Sequence, residues 1–142
     1  MKSVKVLCAM LLIFLCTGCS YERDETPGSL ETISYSEALQ KIKDGESFNL
    51  LLTNDYCEHC RILKEMLVEY LPKHHVDIYE AKLMENGEYL SLETIQKDFP
   101  EFEGTPDFYI IEKGELKEHK AGSMTADKFD EFVREHKLDE VK

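Results

Sequence analysis

Residues 48–71 read FNLLLTNDYCEHCRILKEMLVEYL, and they carry the strongest fold signal in the chain. Its first part, Phe48–Thr53, is a short and mostly apolar run that predicts a buried central strand. After Cys57, apolar residues recur at helical spacing until Pro72 ends the pattern. These residues are Ile62, Leu63, Met66, Leu67, Tyr70 and Leu71. Cys57 and Cys60 therefore lie between a buried strand and the start of an amphipathic helix.

This position gives the two cysteines a specific chemistry. The first turn of a helix has unpaired backbone N–H groups and the positive end of the helix dipole. Both favour thiolate over thiol, so the pKa of a cysteine there falls. Two intervening residues place the second sulfur one helical turn on, close enough to form a disulfide. We expect Cys57 to be exposed and to act as the nucleophile that attacks a disulfide. We expect Cys60 to be more buried and to resolve the mixed disulfide that forms.

The CEHC sequence leaves two other interpretations open. A structural zinc site needs two more ligands, and His59, His74 and His75 are the nearby histidines, but there is no second CxxC pair. A purely structural disulfide would close a very small loop, which removes little entropy from the unfolded chain. Covalent haem attachment needs a histidine directly after the second cysteine, where this chain has Arg61.

Working outward, the rest of the chain alternates helices and strands. The expected order is α-β-α-β-α-β-β-α, which predicts an α/β fold with helices on both faces of a partly parallel sheet. The other predicted elements are a helix from a Ser34/Glu37 capping box to Gly45, a strand over 76–83, a helix over 92–99, a hairpin of 107–112 and 115–121 around Lys113-Gly114, and a last helix capped by Thr125.

The N-terminus, MKSVKVLCAMLLIFLCTGC, is typical of a secretory signal. Lys2 and Lys5 precede an apolar run of 11 residues, Val6–Cys16, which is too short to span about 30 Å of hydrocarbon. A buried core helix is the alternative. The positive start and the abrupt change to polar residues after Cys19 favour the signal.

Thr17-Gly18-Cys19 resembles a bacterial lipobox, although Cys16 stands where that pattern usually has leucine. The resemblance implies a signal peptide over 1–18, lipid attachment at Cys19 and anchoring to the extracytoplasmic face of a bacterial membrane. Ordinary cleavage nearby, leaving Cys19 free or removed, is the alternative. With lipidation, Cys8 and Cys16 leave with the signal, and the odd count of five cysteines is explained.

The chain is strongly acidic, with a net charge of −12. The net charge of −12 becomes −14 once Lys2 and Lys5 are removed, which argues against nucleic-acid binding and against attraction to anionic lipid headgroups. The membrane contact would therefore depend on the lipid. The polar stretch around Pro27-Gly28 predicts a tether over 19–33, followed by one domain over 34–138 and a tail over 139–142.

At this point the chain resembles the thioredoxin superfamily. CEHC after a strand is similar to that family's active site, and Gly104-Thr105-Pro106 before DFYIIEKGEL is similar to its cis-proline loop. The resemblance covers Ser34 to Lys137 and implies a thioredoxin fold with a central mixed sheet of about four strands. It also implies that Pro106 is cis against CEHC and that the Thr105 backbone pairs with a client segment. Without the resemblance, a trans bond is the commoner case.

Three positions depart from thioredoxins. Tyr56 replaces tryptophan, Glu58-His59 replaces Gly-Pro, and Leu51 stands where the family has a buried aspartate six residues before the first cysteine. Asp55, Glu58 or solvent could substitute for this missing aspartate. Lys82 either matches the family's buried lysine or lies on the surface.

The resemblance implies an extracytoplasmic thiol–disulfide oxidoreductase that acts on client protein cysteines through a mixed disulfide. Protonated His59 favours the Cys57 thiolate and Glu58 opposes it, so we expect a redox potential between those of thioredoxin and the periplasmic oxidase. We expect a monomer without a metal or cofactor, with electrons exchanged with a partner dithiol.

The layout from CEHC to Gly104-Thr105-Pro106 is also similar to thioredoxin-like lipoproteins that accompany bacteriocin export. This gives an alternative from another functional class, a non-catalytic thioredoxin-fold adaptor for an exporter or a cell-surface partner. In such an adaptor the two cysteines would be dispensable.

Overall fold

A computed structural model describes residues 21–142, so the predicted signal peptide and Cys19 lie outside the described residues. The helices are α1 (Tyr35–Lys43), α2 (Glu58–Tyr70), α3 (Leu92–Asp98) and α4 (Ala126–Glu135), with a short 3-10 turn at Leu71–Lys73. The strands are β1 (Ser29–Ile33), β2 (Phe48–Thr53), β3 (Asp77–Lys82), β4 (Met84–Glu85), β5 (Glu88–Tyr89), β6 (Asp107–Glu112) and β7 (Glu115–Ala121). No helix in this part of the chain is long and apolar enough to cross a membrane.

The main sheet is mixed, as predicted, but it has five strands rather than about four. Their order is β1-β3-β2-β6-β7. The central strand β2 is parallel to β3 and antiparallel to β6, and β7 closes the far edge as the second strand of the predicted hairpin. The α/β fold class is therefore confirmed.

Alternating side chains of β2 supply both faces of the core. Leu51 packs with residues of α2 and α4, whereas Leu50 and Leu52 pack with residues of α1 and α3. All three leucines are fully buried. Because β2 is apolar on both faces, it has the composition of a central strand covered by helices on both sides. The end of β2 leads directly into the CEHC segment.

The predicted tether is wrong for residues 21–33. Ser29–Ile33 forms β1, which pairs in parallel with β3. Gly28 allows the close approach, since a Cβ there would lie 2.4 Å from the carbonyl oxygen of Val76. Only Leu30 and Ile33 are partly buried in this edge strand, so the sequence carries little apolar periodicity to reveal it.

The prediction of a C-terminal tail over 139–142 is also wrong for its first residue, Asp139. Asp139 is buried and accepts a hydrogen bond from Arg23, with Arg23 Nε and Asp139 Oδ2 2.7 Å apart. Arg23 also contacts Asp130 at 2.6 Å and the Tyr70 hydroxyl at 3.0 Å. We call Arg23, Tyr70, Asp130 and Asp139 the terminal clamp, because they join the two ends of the described chain. A charge pairing across more than a hundred residues has no local sequence signal.

A small hairpin of β4 and β5 follows β3 and was not predicted. Asn86 and Gly87 form its turn, both with positive φ. Asn-Gly is the preferred pair for such two-residue turns, so the signal was present in the sequence. The hairpin brings Tyr89 beside Tyr56, with ring centroids 5.9 Å apart.

Candidate active site

Cys57 is the N-cap residue of α2, and Cys60 lies in the first turn of that helix. The two form a disulfide with their Cα atoms 5.2 Å apart. Cys57 is partly exposed, whereas Cys60 is only 1% exposed. A reagent or client in solvent therefore reaches the first sulfur more easily than the second. The assignment of attacking and resolving roles stays a prediction that this difference in exposure supports.

The backbone of α2 points a donor at the exposed sulfur. The Cys60 N–H donates a hydrogen bond to Cys57 Sγ, with the nitrogen and sulfur 3.1 Å apart. This is one of the N–H groups that a helix start leaves without a backbone partner. In the reduced protein the same N–H and the helix dipole would stabilise negative charge on Cys57.

The cis-proline loop lies directly against Cys57. The Thr105–Pro106 peptide bond is cis, as the resemblance implied, and Pro106 is buried. The Thr105 carbonyl oxygen is 3.4 Å from Cys57 Sγ. Sequence positions almost fifty residues apart are thus brought into contact. Thr105 is also partly exposed, so this loop can be reached from solvent next to Cys57.

Glu58 and His59 are both exposed beside the disulfide. Arg61 binds the Glu58 carboxylate, with Nη2 and Oε1 2.5 Å apart, and this contact lowers the pKa of Glu58. The His59 Nδ1 atom is 3.4 Å from the Ser123 hydroxyl, in the loop before α4. The negative charge of Glu58 is therefore partly offset by Arg61.

Two other sequence candidates lie on the surface. Lys82 Nζ is 2.6 Å from Asp55 Oδ1, and each side chain is roughly two-fifths exposed, at 42% and 41%. The hydrogen bond and charge of Asp55 raise the pKa of Lys82. Of the two interpretations of Lys82, the structure favours the surface residue. Asp55, one candidate for the missing buried acid, is occupied by this ion pair.

A buried carboxylate that sequence reasoning missed lies on β3, in contact with Lys64 of α2. The Glu80 side chain is 6% exposed and accepts hydrogen bonds from Lys64 Nζ at 2.9 Å and Thr53 Oγ1 at 2.8 Å. Glu80 is the register partner of Leu51 on the neighbouring strand. The sequence did carry a signal, because Glu80 follows Ile78 at the two-residue period that places both on the same buried face.

The zinc interpretation finds no support in the site. Among residues 21–142, no three His, Cys, Asp or Glu side chains are grouped so that they could hold a metal ion. Cys57 and Cys60 are bonded to each other. His74, considered as a ligand, lies after the other end of α2, where its Nδ1 is 3.1 Å from Arg23.

Comparison with known proteins gives a result at the level of the fold. No protein-family model and no curated protein sequence matches the chain. Solved structures do match. A thioredoxin from Malassezia sympodialis (Mala s 13) is 14% identical, with a TM-score of 0.58 over 81% of this chain and 96% of that one.

Two further thioredoxins give the same result. Oxidized thioredoxin O1 from Arabidopsis thaliana is 18% identical, with a TM-score of 0.53 over 76% of this chain and 97% of that one. Thioredoxin from Aeropyrum pernix is 21% identical, with a TM-score of 0.55 over 73% of this chain and 84% of that one. With the strand order and the cis-proline loop described above, these similarities show that the chain has a thioredoxin fold.

Proposed function

We propose that the protein is a thiol–disulfide oxidoreductase that acts on the cysteines of client proteins. One observation carries the proposal: Cys57 is partly exposed at the start of α2, and its Sγ accepts a hydrogen bond from the Cys60 N–H and lies 3.4 Å from the Thr105 carbonyl oxygen. This arrangement supplies what disulfide exchange needs, namely a stabilised thiolate, a second thiol within bonding distance and a backbone edge for an extended segment.

The reaction proceeds through a mixed disulfide. The reduced Cys57 thiolate attacks a client disulfide, forms a Cys57–client bond and releases one client thiolate. Cys60 then attacks Cys57 Sγ, which restores the Cys57–Cys60 disulfide and releases the second client thiolate. Two electrons have passed to the client, and a partner dithiol returns the protein to its reduced form. The reverse sequence oxidises a client dithiol, and neither direction requires an organic cofactor or metal.

Replacing Cys60 with alanine tests this mechanism. The Cys60→Ala protein keeps the attacking thiol but cannot resolve, so it should accumulate a covalent adduct with clients through Cys57. Cys57→Ala is the matched control, because its remaining thiol is buried and should form no adduct. Mass spectrometry of the adduct identifies the client peptide. Equal adduct formation by the two variants, or none by either, would contradict the proposal.

The direction of electron flow depends on the redox potential of the pair. The helix start stabilises the reduced form, an imidazolium at His59 would add to this, and Arg61 offsets the opposing charge of Glu58. We therefore expect a potential between about −270 mV for thioredoxin and about −120 mV for the periplasmic oxidase. A titration in glutathione buffers measures this value. A potential as low as that of thioredoxin would contradict the expectation.

The proposal places the protein outside the cytoplasm, anchored by lipid on Cys19. The support is the apolar run before Thr17-Gly18-Cys19 and a charge that anionic lipids would repel. A lipid-modified peptide that begins at Cys19, and processing that is blocked by globomycin, are the expected results. A mature N-terminus at another residue would contradict the anchor without affecting the redox proposal. Export places the protein where client disulfides persist.

Non-catalytic binding to an exporter or a cell-surface partner is the second candidate. The observation that favours it is Tyr56, which is 89% exposed directly before Cys57. An exposed aromatic ring is suited to binding another protein. The Cys57→Ser variant separates the two candidates: an adaptor keeps its cellular role without the thiol, and an oxidoreductase loses it. An unchanged cellular phenotype in Cys57→Ser would favour the adaptor.

A further inference from the structure

We propose that His119, when it carries its proton, fixes the segment 101–107 and so strengthens the binding of an extended client segment at Thr105, beside Cys57. This inference rests on the proposed function and deepens it, because it assigns a positioning residue to the edge that holds the client. His119 lies on β7 and acts through the segment 101–107 rather than on the reacting sulfur atoms.

The first support is that both ring nitrogens of His119 face a carboxylate. Nδ1 is 3.1 Å from Oδ1 of Asp107, and Nε2 is 3.2 Å from Oε2 of Glu101. A neutral imidazole has one N–H donor, whereas an imidazolium has two. Only the protonated ring can therefore donate to both carboxylates at the same time. Histidine is also the side chain whose charge ordinarily changes between about pH 5 and pH 8.

The second support is that these two carboxylates lie at the two ends of the segment 101–107. Glu101 begins the segment in the loop after α3, and Asp107 ends it as the first residue of β6. Between them, the Thr105 carbonyl oxygen lies 3.4 Å from Sγ of the attacking cysteine. A protonated His119 thus bridges the two ends of the segment that carries the client-binding backbone.

The unequal burial of the two carboxylates decides which contact is lost when the ring loses its proton. Asp107 is fully buried, and burial raises its pKa, although hydrogen bonds from Tyr109 and His119 act in the opposite direction. The Glu101 side chain is 79% exposed, so water can replace its partner. Because an unpaired buried carboxylate is costlier than an exposed one, the remaining N–H of a neutral ring serves Asp107. Deprotonation therefore turns a nitrogen lone pair towards Glu101 and releases that end of the segment.

The ring of His119 is held in place by stacking on its partner in β6. Tyr109 is the register partner of His119, and the two ring centroids are 5.2 Å apart at an interplanar angle of 18°. Burial raises the pKa of Tyr109, so its hydroxyl stays a neutral donor to Asp107, with the two oxygens 2.7 Å apart. The other titratable groups around the ring lie on β7 itself, and they are Glu118, which accepts the His119 backbone N–H, and Lys117, which pairs with Glu115. The orientation that serves both carboxylates is therefore fixed independently of the charge on the ring.

Two matched reagents separate client binding from sulfur chemistry. The first is a short synthetic peptide whose single cysteine is joined by a disulfide to thionitrobenzoate, and the second is dithionitrobenzoate, which has no peptide backbone. In both, the reduced Cys57 thiolate attacks one sulfur, forms a new disulfide bond and releases one thionitrobenzoate anion, which is measured by its absorbance. The dithionitrobenzoate rate corrects the peptide rate for titration of the attacking thiol.

Stopped-flow reaction of the whole reduced chain with excess peptide gives the half-saturating peptide concentration and the maximal rate. The same reaction of Cys57→Ser is subtracted, which removes release by other thiols. In the wild type, the half-saturating concentration should rise several-fold from about pH 5.5 to about pH 8, as the ring loses its proton. The change should be no larger, because an exposed ion pair contributes little. The maximal rate should change with pH only as the dithionitrobenzoate rate does.

The exposed end of the bridge gives the sharpest variant. Glu101→Gln replaces the carboxylate with an amide, which accepts a hydrogen bond from a protonated Nε2 and donates one to a neutral Nε2. This variant should therefore keep the low half-saturating concentration at both pH values. Glu103→Gln is the matched control, because Glu103 is an exposed glutamate of the same segment and has no side-chain hydrogen bond or ion pair within residues 21–142. It should keep the pH dependence of the wild type.

His119→Ala removes the bridge at both ends. This variant should show at about pH 5.5 the high half-saturating concentration that the wild type shows at about pH 8. A purely structural role for His119 would weaken peptide binding at every pH and would leave the pH dependence untouched by Glu101→Gln. If His119→Ala does not fold, the comparison of Glu101→Gln with Glu103→Gln still decides the question, since both changes are on exposed side chains.

The possible outcomes distinguish this proposal from the proposed function. A half-saturating concentration that rises with pH in the wild type and in Glu103→Gln, but stays low in Glu101→Gln, supports the bridge. A flat pH profile in the wild type, or the same rise in Glu101→Gln as in the wild type, overturns it while the oxidoreductase stands. Release by the wild type that is no faster than release by Cys57→Ser overturns the proposed function itself.

Discussion

The two ends of helix α2 are built in opposite ways. At its start, Cys57 and Cys60 belong to four consecutive residues, and Cys57 is partly exposed whereas Cys60 is buried. At its end, Tyr70 joins Arg23, Asp130 and Asp139, which come from distant parts of the chain and are largely buried. The 13 residues of the helix separate the two regions by about 20 Å. Reactivity is concentrated at one end, and the joining of the chain termini at the other.

The largest expected effect comes from breaking the terminal clamp. Arg23→Ala leaves Asp139 buried without its cation, and breaking such a buried pair typically costs about 3–5 kcal/mol. We expect the urea midpoint to fall sharply, while the disulfide exchange rate per folded molecule stays unchanged. Lys117→Ala, which breaks an exposed ion pair with Glu115, is the control and should leave the midpoint unchanged. A slower exchange rate in folded Arg23→Ala would show that the two regions are coupled.

A smaller effect is expected from His59→Ala at the other end of the helix. Removing the imidazole should make the reduced form less favourable, so the redox potential falls by roughly 30 mV, or about tenfold in the exchange constant. Titration in glutathione buffers measures the shift. His136→Ala is a matched control, since His136 packs against Phe132 in the region after α4. An unchanged potential in His59→Ala would mean that the imidazole does not tune Cys57.

The smallest effect should appear only in acid. Burial alone would raise the pKa of Asp130, but hydrogen bonds from Arg23, Arg134 and Tyr70 hold it well below its ordinary value. The stability from this ion pair is therefore present above the unfolded pKa of about 3.9 and is lost as the pH falls below it towards the folded pKa.

Urea unfolding across this pH range checks the prediction in the wild type and in Arg23→Ala. The wild type should lose more stability than Arg23→Ala as the pH falls, because the variant has already lost the main cation of Asp130. Parallel pH profiles in the two proteins would contradict the role given to Arg23. Subtracting the pH profile of Arg23→Ala from that of the wild type removes the contribution of carboxylates that titrate equally in both proteins.

Sequence reasoning succeeded where the information was local. The Ser34/Glu37 capping box, the limits of β2 and the hairpin around Lys113-Gly114 were all predicted, and the structure confirms them. The cis bond before Pro106 followed from the resemblance, since base frequencies alone favour trans.

It failed where a feature depends on distant partners. Strand β1 has little apolar periodicity of its own, and it forms because it pairs in parallel with the edge of β3. Asp139 is buried because Arg23 meets it across the fold. The position of Glu80 relative to Lys64 required the register of β3 against β2 and the packing of α2, which only the three-dimensional structure supplies.

Disulfide exchange is expected to take place at Cys57, at the start of α2. The most direct test is the reduction of insulin disulfides by dithiothreitol, with the wild-type protein or with Cys57→Ser as the catalyst. We predict that the wild type accelerates insulin precipitation and that Cys57→Ser leaves it at the uncatalysed rate. Equal acceleration by both proteins, or none by the wild type, would contradict the claim.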